Sequence, residues 1–112
     1  MIAVAKDFSN YLVNRNSAQG DGTFTGEDFR KKFLKDLDSP EWWSDSSKKV
    51  EIDFDGVRTL GPSWANEVFA YFTQSVAKDV VLRKIEFKNI SETKMEIIRV
   101  ELESGYVTDL EE

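Results

Sequence analysis

Apolar and polar positions along the chain alternate in blocks that predict short strands separated by helices. Between residues 50 and 54 every second residue is apolar and the others are acidic, which is the pattern of a half-buried strand. Short apolar runs at residues 2–5 and 11–13 predict two earlier strands that could pair as a hairpin. A further strand is predicted at residues 80–87, and residues 106–107 could add a short edge strand.

Helical spacing of apolar residues predicts three helices between these strands. They begin near Thr25, Ser63 and Ser91, and each of these is a residue type that caps helix N-termini. The first helix should end before Pro40 and the third before Gly105, since both residues stop helices. Strands that alternate with helices predict an α/β (α+β) domain built on one mixed, mainly parallel sheet of four to five strands.

The charge is concentrated at one end of the chain. Five of the 21 acidic residues and none of the 15 basic ones lie in residues 101–112, so the remainder is close to neutral. We expect a single domain over residues 1–112 with a partly frayed acidic end at 101–112. Neither a basic patch nor an apolar run of membrane length is present, so we expect a cytoplasmic protein that binds neither nucleic acid nor membranes.

Composition also limits the available chemistry, because the 112 residues include no His and no Cys. A Ser-His-Asp triad, a His-containing metal site, a thiol nucleophile and a disulfide are therefore excluded. Glu51, Asp53 and Asp55 could hold a hard cation, but they fit the solvent-facing side of the strand better. We predict no enzymatic activity, no metal and no cofactor.

Two groups of residues could carry binding, and a third fits a solvated surface better. The Ser63 hydroxyl, at a helix start, could present a phosphate to free backbone N–H groups or could be an ordinary N-cap. Trp42 and Trp43 are adjacent, so one could anchor a protein contact, or one could plug the core while the other lies across it. The basic pairs Lys31-Lys32, Lys48-Lys49 and Arg83-Lys84 are interpreted as solvated faces.

Two segments carry a family resemblance. Residues 53–57 read Asp-Phe-Asp-Gly-Val and residues 63–67 read Ser-Trp-Ala-Asn-Glu. They resemble the STAS-like family, a small bacterial group related in fold to the anti-sigma factor antagonists and to the cytoplasmic domains of sulfate transporters. Residues 85–89 followed by a helix also fit, and Arg15, Gly20 and Arg30 echo an Arg-Gly-Arg run of that family.

The resemblance implies a STAS-like domain with helices packed mainly on one face of its sheet. It also implies a regulatory protein–protein interaction module rather than an enzyme. The expected partner is a protein, of the kind represented by a histidine-kinase-like ATPase or an anti-sigma-type kinase. The docking surface would be the start of the second predicted helix, at Ser63, Trp64 and Glu67, together with Trp42 and Trp43.

In the antagonists, such a kinase phosphorylates a serine in an Asp-Ser-Ser/Thr-Gly turn. The corresponding residues 61–64 read Gly-Pro-Ser-Trp and lack both the Asp and the following Gly. Ser63 carries the only side-chain hydroxyl of this turn, so it is the phosphorylation candidate. The alternative function is a small-ligand or nucleotide-binding domain. Because α/β sheets bind ligands at the carboxyl ends of their strands, that site would use Asp55, Thr59 and Ser63.

Overall fold

A computed structural model describes residues 1–16 and 24–107. Gly20 and the middle of the predicted glycine-rich loop lie outside this part of the chain, as do residues 108–112. The strands are β1 (Ile2–Ala3), β2 (Tyr11–Leu12), β3 (Val50–Asp53), β4 (Thr59–Leu60) and β5 (Ile85–Lys88). The helices are α1 (Val4–Asp7), α2 (Gly26–Phe33), α3 (Pro40–Ser44), α4 (Pro62–Val68), α5 (Lys78–Lys84) and α6 (Glu92–Ser104), with 3₁₀ turns at Lys35–Asp38 and Ala70–Gln74.

The strands form two parallel sheets instead of one mixed sheet. In the first sheet, in the order β1-β3-β5, Ile52 lies between Ile2 and Phe87. In the second, β2 pairs with β4 and Leu12 lies opposite Leu60. The mixed α/β class is confirmed. The single mixed sheet of four to five strands is wrong for the described residues, and packing of helices on one face of such a sheet is not confirmed.

The predicted N-terminal hairpin is also wrong. The chain enters the helical turn α1 immediately after Ala3, and this turn places Val4 in the core with no exposed surface. β1 and β2 then separate and pair with different partners, β3 and β4. A hairpin of two two-residue strands would have few hydrogen bonds to hold it together. Pairing with β3 and β4 instead joins each of these strands to a later part of the fold.

Helix starts and ends follow the sequence at three places. The Thr25 hydroxyl accepts a hydrogen bond from the Asp28 N–H at 3.1 Å, and Ser91 does the same for Lys94 at 3.2 Å. Gly105 follows α6 with φ 86°, a left-handed conformation that favours glycine. These caps act within a few residues of sequence, which is why they could be predicted.

Three other segments differ from the prediction. The second predicted helix, α4, begins one residue before Ser63, with Gly61 as N-cap and Pro62 in its first turn, a favoured place for proline. Residues 78–84 form α5 rather than a strand, because Val81 is buried while most of its neighbours are exposed in the manner of a surface helix. The connector that contains Trp42 and Trp43 includes the short helix α3.

The end of the described chain is part of the fold. Residues 101–104 belong to α6, and Leu102 is in the core. Tyr106 and Val107 form no strand. The backbone of Val107 bonds to side chains instead: its N–H donates to Asn66 and its carbonyl accepts from Arg15 Nη1. The rest of the predicted acidic end, residues 108–112, lies outside the described residues.

α4 forms the centre of the core. The side chains from Trp64 to Val68 are all buried, and Trp64 packs against Phe29 of α2 with ring centroids 5.1 Å apart. α2 approaches α4 closely at Gly26, where an added Cβ would lie 3.1 Å from the Glu67 Cβ and 3.2 Å from the Trp64 carbonyl oxygen. No helix in the described ranges has the length and apolar character that crossing a bilayer requires.

Candidate functional site

A buried carboxylate, that of Glu67 on α4, organises the charged interior. Its oxygens accept hydrogen bonds from Arg15 Nη1 at 3.2 Å, Arg30 Nη2 at 2.7 Å and the Tyr106 hydroxyl at 2.9 Å. Glu67 is 3% exposed and each arginine 5%. Burying these charges is tolerable because each arginine faces the carboxylate and all three groups are hydrogen-bonded. We call Arg15, Arg30, Asn66, Glu67 and Tyr106 the Glu67 cluster.

The Asn66 side chain joins the cluster to the end of the described chain. Its oxygen accepts hydrogen bonds from Arg15 Nη2 and from the Val107 N–H, both at 3.0 Å. Its nitrogen donates to the Glu101 carboxylate at 3.0 Å and to the Gly105 carbonyl at 2.9 Å. One amide therefore ties α4 to both α6 and residues 105–107.

Aromatic rings cover the cluster. The Arg30 guanidinium lies 3.6 Å from the centre of the Tyr71 ring, a cation–π distance, and Tyr71 meets Tyr106 edge-on at 5.2 Å. Burial and the hydrogen bond to Glu67 raise the pKa of the Tyr106 phenol. Arg30 Nε is buried with no hydrogen-bond partner. Because the Glu67 carboxylate accepts hydrogen bonds from Arg15, Arg30 and Tyr106, it holds three separate segments of the chain together.

Four residues of the family resemblance meet in this cluster. Arg15 and Arg30, from the Arg-Gly-Arg echo, contact Asn66 and Glu67, from the helix-start motif. The sequence did not predict that the two arginines contact Glu67. The signal that could have indicated it was the opposite charge of residues in two separate motifs. Gly20 lies outside the described residues.

The predicted docking surface at α4 requires a correction. Trp64 has no exposed surface and Glu67 is occupied by its internal partners, so neither side chain faces outward. Both belong to the interior face of the helix because they follow its apolar stripe. Ser63 is half-buried and the adjacent Pro62 is exposed, so the first turn of α4 is the part of this helix that reaches the surface.

Trp42 and Trp43 lie at the boundary between the core and the surface. Their rings meet edge-on at 4.8 Å, and both side chains are half-buried. Trp43 Nε1 donates a hydrogen bond to the Leu37 carbonyl at 2.7 Å, and its ring packs on Phe72. Each indole therefore retains an exposed part, and a role in partner contact stays a prediction.

Lys84 was interpreted as part of a solvated face, and this is wrong. The residue is 5% exposed, and its ammonium group donates hydrogen bonds to the carbonyls of Trp42 at 2.7 Å, Trp43 at 3.1 Å and Asp45 at 2.6 Å. It also lies 4.6 Å from the centre of the Trp42 ring. A lysine of α5 thus donates to the carbonyls at the end of α3, of which the Asp45 carbonyl also accepts a hydrogen bond from the Lys48 N–H at 3.0 Å.

The residues of the alternative ligand site do not share one of the described cavities. Asp53 accepts hydrogen bonds from Asn89 Nδ2 and from the Asp55 N–H, both at 2.9 Å, and these bonds lower the pKa of Asp53. Surface depressions described in residues 24–107 surround α3 and involve neither Asp55, Thr59 nor Ser63. Within the described ranges, no three metal-ligating side chains come together.

Comparison with known proteins gives one match. No curated protein and no solved structure matches the chain. A family model described as a STAS-like domain of unknown function (DUF4325) matches residues 25–95. The matched range includes Arg30 and Glu67 of the Glu67 cluster and the whole of α4. The chain therefore belongs to the STAS-like domain family of unknown function.

Proposed function

We propose that this protein is a non-enzymatic regulatory module that binds a protein partner, with the first turn of α4 as the regulated contact. The observation that carries the proposal is the uneven burial along α4. Its residues 64–68 are buried and Glu67 is held by two arginines, whereas Pro62 and Ser63 reach the surface. A firmly held helix that shows one turn to solvent suits recognition by a partner.

Regulation would act through the Ser63 hydroxyl. A kinase of the histidine-kinase-like ATPase type would transfer the γ-phosphoryl group of ATP to Ser63 Oγ, leaving ADP and releasing the hydroxyl proton. The new group adds a charge of about −1.5 to −2 near neutral pH. Because the remainder of α4 is fixed in the core, this charge would change partner affinity rather than rearrange the helix.

The kinase step has a direct test. The full chain is incubated with ATP, magnesium and a histidine-kinase-like ATPase encoded beside its gene, and the intact mass is measured. One added phosphoryl group is expected on the wild type and none on Ser63→Ala. If the wild type is modified elsewhere or not at all, the phosphorylation switch is wrong while a constitutive binding module remains possible.

The binding step uses a matched pair of variants. Ser63→Asp introduces a carboxylate at the second residue of α4, and Thr93→Asp introduces one at the second residue of α6. Affinity capture with the full chain as bait should recover a partner with wild type and Thr93→Asp but much less of it with Ser63→Asp. Equal recovery by all three baits would show that the first turn of α4 is not the contact.

A further inference from the structure

A surface depression between α3 and α5 concentrates positive charge. Lys48, Lys49, Arg83 and Lys84 line this space of about 310 Å³, and Trp43, Ser44 and Ser46 complete it. No Asp or Glu contributes to the lining, although the chain as a whole carries a charge of −6. We call this depression the basic cleft.

Three of the four cations remain available to a ligand. Lys48, Lys49 and Arg83 are exposed, and none of them forms an ion pair with the described residues. The fourth, Lys84, is committed to the carbonyls at the end of α3 and so fixes the wall of the cleft. Asp45, on the adjoining loop, accepts two hydrogen bonds from Ser47 and lines a neighbouring depression together with Lys48. Its carboxylate also attracts Lys48 and Lys84, so Lys49 and Arg83 are the cations of the cleft that this carboxylate does not offset.

A second depression, of mixed character, adjoins the basic cleft. It measures about 360 Å³ and shares Trp43 and Ser44 with the cleft. Its apolar part is formed by Leu37, Pro40, Val76, Ala77 and Val80, and its polar part by Asp38 and Ser75. A ligand that filled both spaces would place carboxylates among the cations and an apolar side chain beside the Trp43 indole. Arginine and tryptophan are among the residue types that dominate binding energy at protein contacts, and here Arg83 is exposed while Trp43 is half-buried.

We propose that the basic cleft and the apolar part of the adjoining depression together bind an acidic peptide segment of a partner protein, one that combines carboxylates with at least one large apolar side chain. This inference deepens the proposed function and rests on it, since it names the chemistry of one partner contact. Recognition of acidic motifs by clustered basic side chains is an established mode of peptide binding, and charge complementarity favours it here.

Fluorescence anisotropy with defined peptides tests the proposal. The probe is a fluorescein-labelled decapeptide of Glu residues with two central Phe residues, and the comparison peptides carry Gln for Glu or Glu for Phe. The full chain should bind the first peptide about tenfold more tightly than either comparison peptide, and added salt should weaken this binding.

Paired variants locate the contact. Lys49→Glu combined with Arg83→Glu should weaken probe binding by about tenfold or more. Lys31→Glu combined with Lys32→Glu changes the net charge equally on α2 and should leave binding nearly unchanged. Val80→Ser should weaken binding of the Phe-containing probe but not of the all-Glu peptide.

The outcomes separate this inference from the proposed function. If both charge-reversed pairs weakened binding equally, binding would depend only on the net charge of the protein, and the proposal would be overturned. The absence of probe binding would overturn it as well. Displacement of the probe by inorganic phosphate or by ATP alone at micromolar concentration would assign the cleft to small anions and also overturn it. If the probe fails while the Ser63-dependent capture succeeds, the cleft is wrong and the interaction module stands.

Discussion

Buried positive charge is stabilised in two different ways in this fold. In the Glu67 cluster, two guanidinium groups share one carboxylate, and the three side chains come from distant parts of the sequence. At the end of α3, the Lys84 ammonium is held by three backbone carbonyls and faces an indole ring. The first arrangement depends on the ionised state of a single side chain, whereas the second depends on where a helix ends.

The difference indicates which arrangement is more sensitive to mutation. Loss of Glu67 would leave two buried positive charges without their counterion, and buried uncompensated charge is very unfavourable. Loss of the Lys84 ammonium would leave neutral carbonyls, some of which could turn to water at the partly exposed α3. The Glu67 cluster should therefore be the more costly of the two to break.

The largest expected effect is that of Glu67→Gln. The substitution keeps the shape of the side chain but removes the charge that both arginines face, so the free energy of unfolding should fall by about 3–5 kcal/mol. Chemical denaturation followed by circular dichroism measures this. Glu86→Gln, at an exposed position on β5, should change stability by less than about 0.5 kcal/mol. A loss below about 1 kcal/mol at Glu67 would contradict the view of the cluster as an anchor.

Lys84→Met should destabilise by a smaller amount. It keeps the aliphatic part of the side chain but leaves the α3 carbonyls without their donor, at a cost of about 1–3 kcal/mol. Tryptophan fluorescence should shift to longer wavelength as Trp42 and Trp43 gain water. The adjacent exposed Arg83→Met is the control, with an expected change within about 0.5 kcal/mol. Equal effects of the two substitutions would mean that the carbonyl contacts contribute no stability.

Tyr106→Phe tests the edge of the Glu67 cluster and its pH dependence. Losing the phenol hydrogen bond to a carboxylate should cost about 1.5 kcal/mol near neutral pH. Because the folded state raises the pKa of Tyr106, the stabilisation is present below the ordinary tyrosine pKa of about 10 and is lost as pH rises through the folded value. Denaturation of both proteins from pH 7 to 11 should show curves that converge, whereas Tyr11→Phe, at a site 62% exposed, should show no such difference.

The smallest effect is expected at the start of α2, the helix that carries Arg30. Thr25→Ala removes the N-cap bond to the Asp28 N–H, which should cost about 1 kcal/mol, and Thr25→Ser should restore most of it. Thermal unfolding compares the three proteins. If Thr25→Ala were as damaging as Glu67→Gln, the stability assigned to the charge cluster would reside instead in the placement of the helix.

The sequence predicted the local features and missed the remote ones. The caps at Thr25 and Ser91 and the stop at Gly105 were predictable because each acts within one turn of helix. The strand predicted at residues 80–87 is confirmed from Ile85 onward, as β5, and is wrong over residues 80–84, which belong to α5. β-branched residues such as Val80 and Val81 are only slightly disfavoured in helices, so their presence does not decide the element. The pairing of β1 and β2 could not be predicted from two-residue strands, because a tertiary partner decides it.

The candidate site follows the same division. Ser63 was selected from its place at a helix start, and it lies half-buried in the first turn of α4; its role stays a prediction. Trp64 and Glu67 were assigned to the docking surface by the family resemblance, and spacing alone does not show that the polar Glu67 points inward. The burial of Lys84 had no sequence signal at all, since the carbonyls that hold it exist in every residue.

The parallel pairing of distant strands has a consequence for how the chain can fold and be divided. Ile2 pairs with Ile52, Leu12 with Leu60 and Ile52 with Phe87, so each of these contacts must close a long loop before it contributes stability. Residues 25–95, the range matched by the family model, contain β3, β4 and β5 without β1, β2, Arg15 or Tyr106. A fragment cut to that range would expose the edge of β3 that pairs with β1, leave β4 without its partner β2 and lose two donors to Glu67, so we expect it to aggregate rather than fold.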